Sequence, residues 1–246
     1  MYEPRTYRYW VKGKDLTSFN VAVKETDLYI RASKNLRSKA LRIVKKYREA
    51  LESYIGRYPL FATSLEPVPA GDDAPQIAKL MADSAEKAGV GPMASVAGAI
   101  AELVGNELLA FSPEVIIENG GDIFMKSLED RTVSIYAGKS AITGKIGLEI
   151  KARQTPLGIC TSSGTVGHSL SYGQADAVVA VAPSAAVADA SATAIGNLIK
   201  QPDDIQKGIE YAMNIEGLKG VLIIKDDGIG VWGEVEVCRI NPGEPA

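Results

Sequence analysis

Residues 185–200 predict a helix of very small side chains that carries two polar residues four positions apart. Asp189 and Thr193 therefore project from the same helix face, one turn above the other. A carboxylate above a hydroxyl suits a hard, oxygen-seeking cation such as Mg²⁺, which keeps waters and bridges to phosphates. The competing interpretation is an aspartate that interacts favourably with the helix dipole and a threonine that bonds back to its own helix.

A polar, glycine-rich loop precedes this helix. Between 158 and 173 it carries four glycines, which free the backbone to turn and to expose N–H groups. It also carries six serine or threonine hydroxyls, which both donate and accept hydrogen bonds. Such a loop can hold a phosphate, a ribose or the edge of a ring without net charge. A flexible surface loop is the alternative interpretation.

The same loop contains the single histidine of the chain and one of its two cysteines. The ordinary pKa of histidine lies near neutrality, so His168 is a candidate proton shuttle or orienting group. Cys160 is a candidate nucleophile, but a free cysteine is more often a small buried residue.

A third segment, Glu-Asn-Gly-Gly-Asp at 118–122, follows a predicted strand. Two consecutive glycines allow a tight turn where the backbone can approach a planar ligand. Asn-Gly is also a common hairpin turn, so this segment alone does not indicate a ligand site.

Alternating apolar and polar residues in the first 33 positions predict strands, and apolar residues at helical spacing predict an amphipathic helix over 36–55. Runs of strands alternating with runs of helices predict an α+β fold with largely antiparallel sheets and flanking helices. We expect a single domain over residues 1–246, with N-terminal strands and a basic helix (1–58), a loop (59–75) and a ligand-binding core (76–246). Further helices are predicted at 76–88, 93–107 and 203–214, and further strands at 114–118, 123–126, 132–137, 146–151, 157–161, 177–182, 220–225 and 230–240.

The predicted helix over 36–55 has a basic face. Eight lysines and arginines lie between residues 31 and 48, with no acidic residue among them. A solvated helix face is the simplest interpretation. The alternative is a docking surface for an anionic ligand or an acidic partner protein. Nucleic acid ranks third, because aromatic residues do not interleave with the charges.

Composition narrows the class of protein. The chain has 246 residues, 46% of them hydrophobic, and a net charge of −3, which argue for a globular protein and against a general nucleic-acid binder. Two distant cysteines imply no disulfide framework and favour a reducing compartment. No apolar run is long enough to cross a bilayer, and the N-terminus lacks a signal-peptide core. We therefore expect a cytoplasmic protein that does not bind membranes. Whether it forms a homo-oligomer is a question that the sequence leaves open.

Two motifs can be discarded. Residues 228–233 match G-x-G-x-x-G, but 234–237 alternate as a strand where a dinucleotide fingerprint needs a helix, so we predict a hairpin turn. One histidine and two cysteines far apart in sequence do not make a zinc site.

With these segments in view, the chain resembles the ApbE family of flavin transferases, in particular an uncharacterised ApbE-like branch of archaea and bacteria. The segment at 118–122 is similar to the family's Asn-x-Gly-Gly-Glu, and Thr-Ser-Ser-Gly at 161–164 is similar to its Thr-Ser-Gly loop. Ala-Asp-Ala-Ser-Ala-Thr-Ala at 188–194 is similar to Ala-Asp-Ala-x-x-Thr-Ala. The resemblance covers roughly residues 90 to 240 and implies an ApbE-like fold.

The resemblance also implies a site. Asp189 and Thr193 are similar to ligands of a Mg²⁺ ion that sits on a flavin pyrophosphate, and His168 corresponds to a catalytic histidine. The implied cofactors are FAD or FMN together with Mg²⁺, and the implied reaction moves FMN to a threonine or serine of a target protein. The residues that would contact the flavin are Asn119, Gly120, Gly121, Thr161, Ser162, Ser163 and Gly164.

The chain departs from the family at two places. The nearest counterpart of the family's Ala-Lys-Gly is Ala-Gly-Ala at 97–99, without the lysine, and no Asp-Pro follows His168. Two hypotheses result. The first is an enzyme that binds a flavin or related nucleotide with Mg²⁺ and catalyses FMN or nucleotidyl transfer or FAD pyrophosphate hydrolysis. The second is a non-catalytic protein of the same fold that binds a small ligand or a partner in cofactor or sulfur (homocysteine) metabolism.

Overall fold

The computed structural model of the protein describes residues 16–138, 140, 142–164 and 172–240. The predicted strand near residues 7–11 and His168 lie outside these ranges. The described residues contain eleven strands and six α-helices. The strands are β1 Thr17–Val23, β2 Thr26–Ala32, β3 Val115–Asn119, β4 Asp122–Lys126, β5 Arg131–Ser134, β6 Ile146–Ile150, β7 Leu157–Ser162, β8 Ala177–Ala182, β9 Gly220–Lys225, β10 Gly228–Gly233 and β11 Val237–Arg239. The helices are α1 Arg37–Arg57, α2 Leu60–Thr63, α3 Gln76–Ala88, α4 Val96–Leu108, α5 Ala185–Leu198 and α6 Ile205–Ala212.

The strands form two sheets. The larger has eight strands in the order β1-β2-β3-β4-β7-β8-β9-β10, and the smaller has three in the order β11-β6-β5. Every neighbouring pair is antiparallel. The predicted α+β fold with largely antiparallel sheets is confirmed. Strand β2 pairs with β3, so the N-terminal strands belong to the same sheet as the later ones.

Both faces of the large sheet are covered. Side chains alternate between the faces, so Ile159 and Val179 pack toward the small sheet while Cys160 and Ala180 pack toward the helices. This double burial explains why β8 is an uninterrupted apolar run in which every residue is buried.

Helix α5 lies directly against its neighbours because small residues line the contacts. A Cβ on Gly98 of α4 would stand 2.2 Å from the Ala185 carbonyl oxygen, and a Cβ on Gly158 of β7 would stand 2.2 Å from the Ala185 Cα. Glycine is thus required at both positions, and the backbone of α5 is fixed between α4 and β7.

Two predicted segments differ from the structure. The strand predicted over 230–240 is two strands, because Gly233 turns the chain with a φ of 80° and β11 then joins the small sheet beside β6. The loop predicted over 59–75 contains the short helix α2, whose Phe61 is buried with its ring centroid 5.1 Å from that of Tyr54. A single buried aromatic over four residues leaves no periodic pattern that a sequence could reveal.

Residues 228–233, predicted as a hairpin turn, form strand β10 instead. The turn lies just before them, because β9 and β10 pair across Asp226 and Asp227, and Asp226 adopts a φ of 51°. The literal G-x-G-x-x-G at 228–233 is therefore a strand, and no helix follows it among the described residues up to 240.

In the described part of the chain, no helix taken singly has the length and apolar character to cross a membrane. The pair Gln76–Ala88 and Pro92–Leu108 satisfies length and composition only when joined, and it is bent by 102°.

Candidate functional site

Three segments that are far apart in sequence meet at the N-terminus of α4. Asp189 of α5 accepts a hydrogen bond on Oδ2 from the backbone N–H of Gly98 at 2.9 Å, and the Ala97 N–H also donates to this carboxylate. From the β3–β4 hairpin, Asn119 donates through Nδ2 to the Ala97 carbonyl oxygen at 3.1 Å. Two of the segments identified in the sequence thus converge on Ala97 and Gly98, the nearest counterpart of the family's Ala-Lys-Gly.

Helix α5 exposes one polar stripe toward this point. Ten of its residues between 185 and 196 are buried, and the two that are not are Asp189 and Thr193. Asn197 continues the same spacing one turn further and is also partly exposed. A helix enclosed by β7, β8, α3 and α4 does not need such a stripe for packing. The sequence analysis did not include Asn197, although its spacing from Thr193 could have revealed it.

A second acidic side chain lies close to Asp189. Asp122, the last residue of the Asn-Gly-Gly-Asp segment, is only 8% exposed, accepts a hydrogen bond from the Thr161 backbone N–H and lies beside the Cys160 thiol. Both glycines of the turn have positive φ, 71° and 113°, a conformation that favours glycine. The turn is further held by the Gly121 N–H, which donates to Glu118 Oε1 at 2.9 Å.

Burial dominates the electrostatics of this cluster. It raises the pKa of Asp189 to about 7, although the N–H groups of Gly98 and Ala97 act in the opposite direction. Burial, and next the neighbouring charge of Asp189, raise the pKa of Asp122 well above its ordinary range. Two carboxyl groups thus lie close together, that of Asp122 buried and that of Asp189 partly exposed.

Cys160 belongs to the same cluster as a structural residue. Burial, followed by the charges of Asp122 and Asp189, raises the pKa of its thiol well above the usual value. The thiol donates to the Ala185 carbonyl oxygen at 3.3 Å, in the first turn of α5. A buried, protonated thiol is a poor nucleophile, so the structure favours the small buried residue over the nucleophile.

Among the described residues, no cation neutralises these acids. Within the described ranges, neither Asp122 nor Asp189 forms an ion pair with lysine or arginine, and no three histidine, cysteine or acidic side chains are placed to hold a metal together. Mg²⁺ in nucleotide sites is held by one or two carboxylates and by the phosphates of the ligand, without a cage of protein groups. The donor set is hard oxygen, from the two carboxylates and the Thr193 hydroxyl, and it fits such a shared ion.

Both described ends of the glycine-rich loop attach beside the stripe on α5. Thr161 and Ser162 end β7, and Ser163 and Gly164 follow with partial or full exposure. These four residues are candidate contacts for a flavin, and their role in binding stays a prediction. His168 lies between the two described ends, outside the described residues.

The return of the loop is anchored on α5. The Tyr172 backbone N–H donates to Asn197 Oδ1 at 3.0 Å. A Cβ on Gly173 would stand 1.8 Å from the Gly196 carbonyl oxygen, so the backbones touch there. Asn197 therefore connects the loop to the polar stripe.

Helices α4 and α5 cap each other with carboxylates. Glu102 of α4 accepts from the Ser184 hydroxyl at 2.7 Å and from the Ala186 N–H at 3.2 Å, at the start of α5. Ser184 itself accepts from the Val187 N–H at 3.3 Å and is the N-cap of α5. Asp189 returns the same interaction to the N-terminus of α4. This reciprocal arrangement fixes the position of the Asp189 carboxylate.

Comparison with known proteins agrees with the sequence resemblance. A family model described as "AbpE bacteria" matches residues 8–218. The chain belongs to this ApbE-like family. The match begins well before residue 90, so the family also includes the basic helix α1.

Archaeal relatives share close to half of the residues of this ApbE-like protein. UPF0280 protein MJ1526 of Methanocaldococcus jannaschii is 44% identical over 221 residues, which cover 87% of this chain and 90% of the relative. A UPF0280 protein of Methanococcus vannielii is 44% identical over 230 residues, which cover 90% and 92% of the two chains.

Solved structures of flavin transferases share the fold. The flavinyl transferase ApbE of Pseudomonas stutzeri superposes with a TM-score of 0.58 at 14% identity, covering 89% of this chain and 94% of that one. The flavin transferase ApbE of Vibrio cholerae superposes with a TM-score of 0.51 at 14% identity, covering 89% and 96%. The predicted ApbE-like fold is confirmed.

Proposed function

We propose that this protein binds a flavin nucleotide together with Mg²⁺ at the acidic cluster of Asp122 and Asp189. The observation that carries the proposal is that the buried carboxyl group of Asp122 and the partly exposed one of Asp189 lie close together, and the described residues bring no cation to them. A metal bound to a pyrophosphate would supply the missing positive charge. The hydroxyl-rich segment 161–164 beside the cluster supports the phosphate-bearing ligand.

Each candidate residue has a role in this proposal. Asp189 and Thr193 hold the metal, which neutralises charge on the pyrophosphate when it is bound. The turn at Asn119, Gly120 and Gly121 lies against the planar part of the ligand. The hydroxyls of Thr161, Ser162 and Ser163 donate to its phosphates and hydroxyls, which needs no net charge on the protein, and Gly164 is a backbone contact beside them.

The proposed reaction is transfer of FMN from FAD to a protein hydroxyl. The hydroxyl oxygen of a serine or threonine of the acceptor protein forms a bond to the FMN phosphorus, the pyrophosphate P–O bond breaks, and AMP leaves. His168 is proposed to accept the hydroxyl proton. With water in place of the hydroxyl, the same site would hydrolyse FAD to FMN and AMP.

Thermal denaturation tests the binding step. The protein is heated with FAD, with Mg²⁺, with both and with neither. We expect the largest rise in melting temperature with both, because a ligand that binds only the folded state stabilises it. Asp189→Ala should lose the rise that depends on Mg²⁺. Asp203→Ala, which removes an exposed acid elsewhere, is the matched control and should keep it.

Chromatographic detection of AMP separates an enzyme from a binder. Release of AMP from FAD by the wild type, lost in His168→Ala while the thermal shift persists, would support the catalytic proposal. A shift without AMP would leave a flavin-binding protein. If no flavin shifts the transition with or without Mg²⁺, the proposal is wrong and the non-catalytic alternative, a protein that binds another small ligand or a partner, takes its place.

A further inference from the structure

The structure separates the basic residues of α1 and its approach into two groups. Four of the eight cations between residues 31 and 48 are satisfied within the fold, and four are not. Arg31 is buried, Lys39 lies 4.0 Å above the Phe111 ring, Lys46 is 2.8 Å from Glu107, and Arg48 pairs with Glu25 and Glu52. The other four are exposed, and none has an acidic partner within the described ranges: Lys34, Arg37, Arg42 and Lys45.

These four free cations form one surface, which we call the basic face. Helix α1 buries Ala40, Ile43, Val44 and Tyr47 against the core, and the free cations lie on its outer side. Arg37 and Lys45, the first and last of the free cations on the helix, are eight positions apart, a distance of about 12 Å along the helix axis. The basic face therefore has the length of a short peptide segment.

The cations of the basic face are unfavourable for the stability of helix α1, which carries them. The N-terminus of a helix bears partial positive charge, and acidic residues or a capping side chain ordinarily offset it. Helix α1 has no acid in its first turn, its cap residue Leu36 provides no side-chain hydrogen bond, and Arg37 is its first residue. This arrangement leaves the positive charge at the helix N-terminus without an offset, and an anion bound to the basic face would supply one.

We infer that the basic face binds a short acidic segment of a partner protein. The charge pattern of the helix favours this occupant over a nucleic acid. Further along the same helix, Glu49 is exposed and forms no ion pair within the described ranges, and it would repel a polyanion that continued past Lys45. A peptide can place acidic residues opposite the cations and a basic residue opposite Glu49.

The nearest exposed aromatic ring also argues against nucleic acid. Phe111 is 42% exposed beside the basic face, but Lys39 already covers its ring face, which a base would need for stacking. The net charge of −3 adds long-range repulsion to a long polyanion, whereas a short segment interacts mainly with the local cations.

The basic face lies away from the acidic cluster. Gly98, near the start of α4, contacts Asp189, whereas Glu107, near its end, is bonded by Lys46 and Tyr47 of α1. Nine residues of helix, about 14 Å, separate these two contacts. The inference therefore does not depend on the proposed flavin function.

Fluorescence anisotropy of a labelled decaglutamate peptide tests the inference on the whole protein. We expect saturable binding that weakens as salt is raised. The triple variant Arg37→Glu/Arg42→Glu/Lys45→Glu should lose at least about tenfold in affinity, since three exposed pairs are removed and replaced by repulsion. Lys145→Glu/Lys200→Glu/Lys207→Glu changes the net charge equally at exposed sites elsewhere and should lose less than about twofold.

Folding does not obscure this test. An acid at position 37 interacts favourably with the helix N-terminus, so the triple variant should melt no lower than the wild type. A peptide of glutamates followed by two lysines should bind more tightly than one in the reverse order or than decaglutamate alone, and Glu49→Gln should remove that preference. Three outcomes would overturn the inference: no binding by the wild type, equal losses in both triple variants, or tighter binding of labelled oligothymidylate through the same three residues.

Discussion

Two regions of the molecule bury carboxyl groups, and their surroundings shift the pKa of these groups in opposite directions. Glu114 and Arg131 form an ion pair at 3.1 Å with side chains 12% and 3% exposed. Burial alone would raise the pKa of Glu114, but the Leu128 N–H, the Ser127 hydroxyl and the Arg131 guanidinium outweigh it and lower the pKa. At Asp122 and Asp189 burial prevails and raises the pKa.

The contrast shows that burial does not by itself set the charge of an acid in this fold. What decides is whether a cation and several donors face the carboxylate. The Glu114 region needs no ligand to balance its charge, because a guanidinium, a hydroxyl and a backbone N–H of the protein already donate to Oε2 of the carboxylate. Among the described residues, the Asp122–Asp189 region has only backbone N–H groups and a thiol beside its carboxyl groups. A ligand that brings a cation should therefore stabilise this region more than the Glu114 region.

The largest effect is expected from removing Arg131, the cation that pairs with Glu114. Arg131→Met should lower the free energy of unfolding by about 3–5 kcal/mol, because it leaves Glu114 buried without its partner. Urea denaturation at neutral pH measures this change. Lys219→Met, which breaks an exposed pair with Glu234 at 3.7 Å, is the control and should change stability by less than about 1 kcal/mol. Similar effects for both variants would contradict the contrast.

The pH dependence of stability should have the opposite sign at the acidic cluster. The folded protein keeps the proton of Asp189 up to a pKa of about 7, whereas the unfolded chain loses it near the ordinary aspartate pKa of 3.8. The contribution of Asp189 therefore falls as pH rises from about 4 to about 7, by at most about 4 kcal/mol, and is constant above that range.

Urea denaturation from pH 4 to pH 8, on the wild type and on Asp189→Asn, isolates this contribution. Other acids titrate in both proteins, so the difference between the two curves reports on Asp189 and on Asp122 coupled to it. A difference that does not change with pH would show that Asp189 is ionised throughout.

Substitution of the same acid should stabilise the ligand-free protein. Asp189→Asn removes a charge that burial disfavours and keeps an oxygen to accept from Gly98, so at pH 8 we expect a gain of about 1–2 kcal/mol. The gain should reverse into a loss relative to wild type when FAD and Mg²⁺ are present. Glu114→Gln should destabilise under the same conditions, and a loss in both variants without ligand would remove the distinction between the regions.

The smallest effect is expected at the edge of the acidic cluster. Asn197→Ala removes the acceptor of the Tyr172 N–H and should cost about 1 kcal/mol. Hydrogen exchange should show faster exchange at Tyr172 with unchanged rates in β7 and β8. Asn214→Ala, at the exposed end of α6, serves as the control. Unchanged exchange at Tyr172 would mean that Asn197 does not hold the loop.

Elements with strong local patterns were predicted well. Helix α3 and strands β8 and β9 have the predicted bounds, because Pro75 and Gly89 punctuate the helix and uninterrupted apolar runs mark the strands. Helix α1 differs only at its ends. The break between β10 and β11 was missed, because it depends on pairing with β6 about 90 residues earlier in the chain.

The candidate site was predicted in part. The common face of Asp189 and Thr193 followed from helical spacing, and the positive φ angles at 120 and 121 fit the predicted tight turn. The role of these residues in binding stays a prediction. The contact between Asp189 and Gly98 could not be predicted, because 91 residues separate them and no local pattern encodes it.

The sequence by itself determined the elements, the family and the residue types of the site. Periodicity, glycine placement and short motifs are properties of neighbouring residues and can be read without a structure. Only the tertiary structure decided which charges are neutralised. Among the described residues, it satisfied four cations of the basic helix region and left four without an acidic partner, and it placed Asp122 and Asp189 together without a cation. The reason is that the free energy of a charge depends on burial and on groups brought from distant parts of the chain.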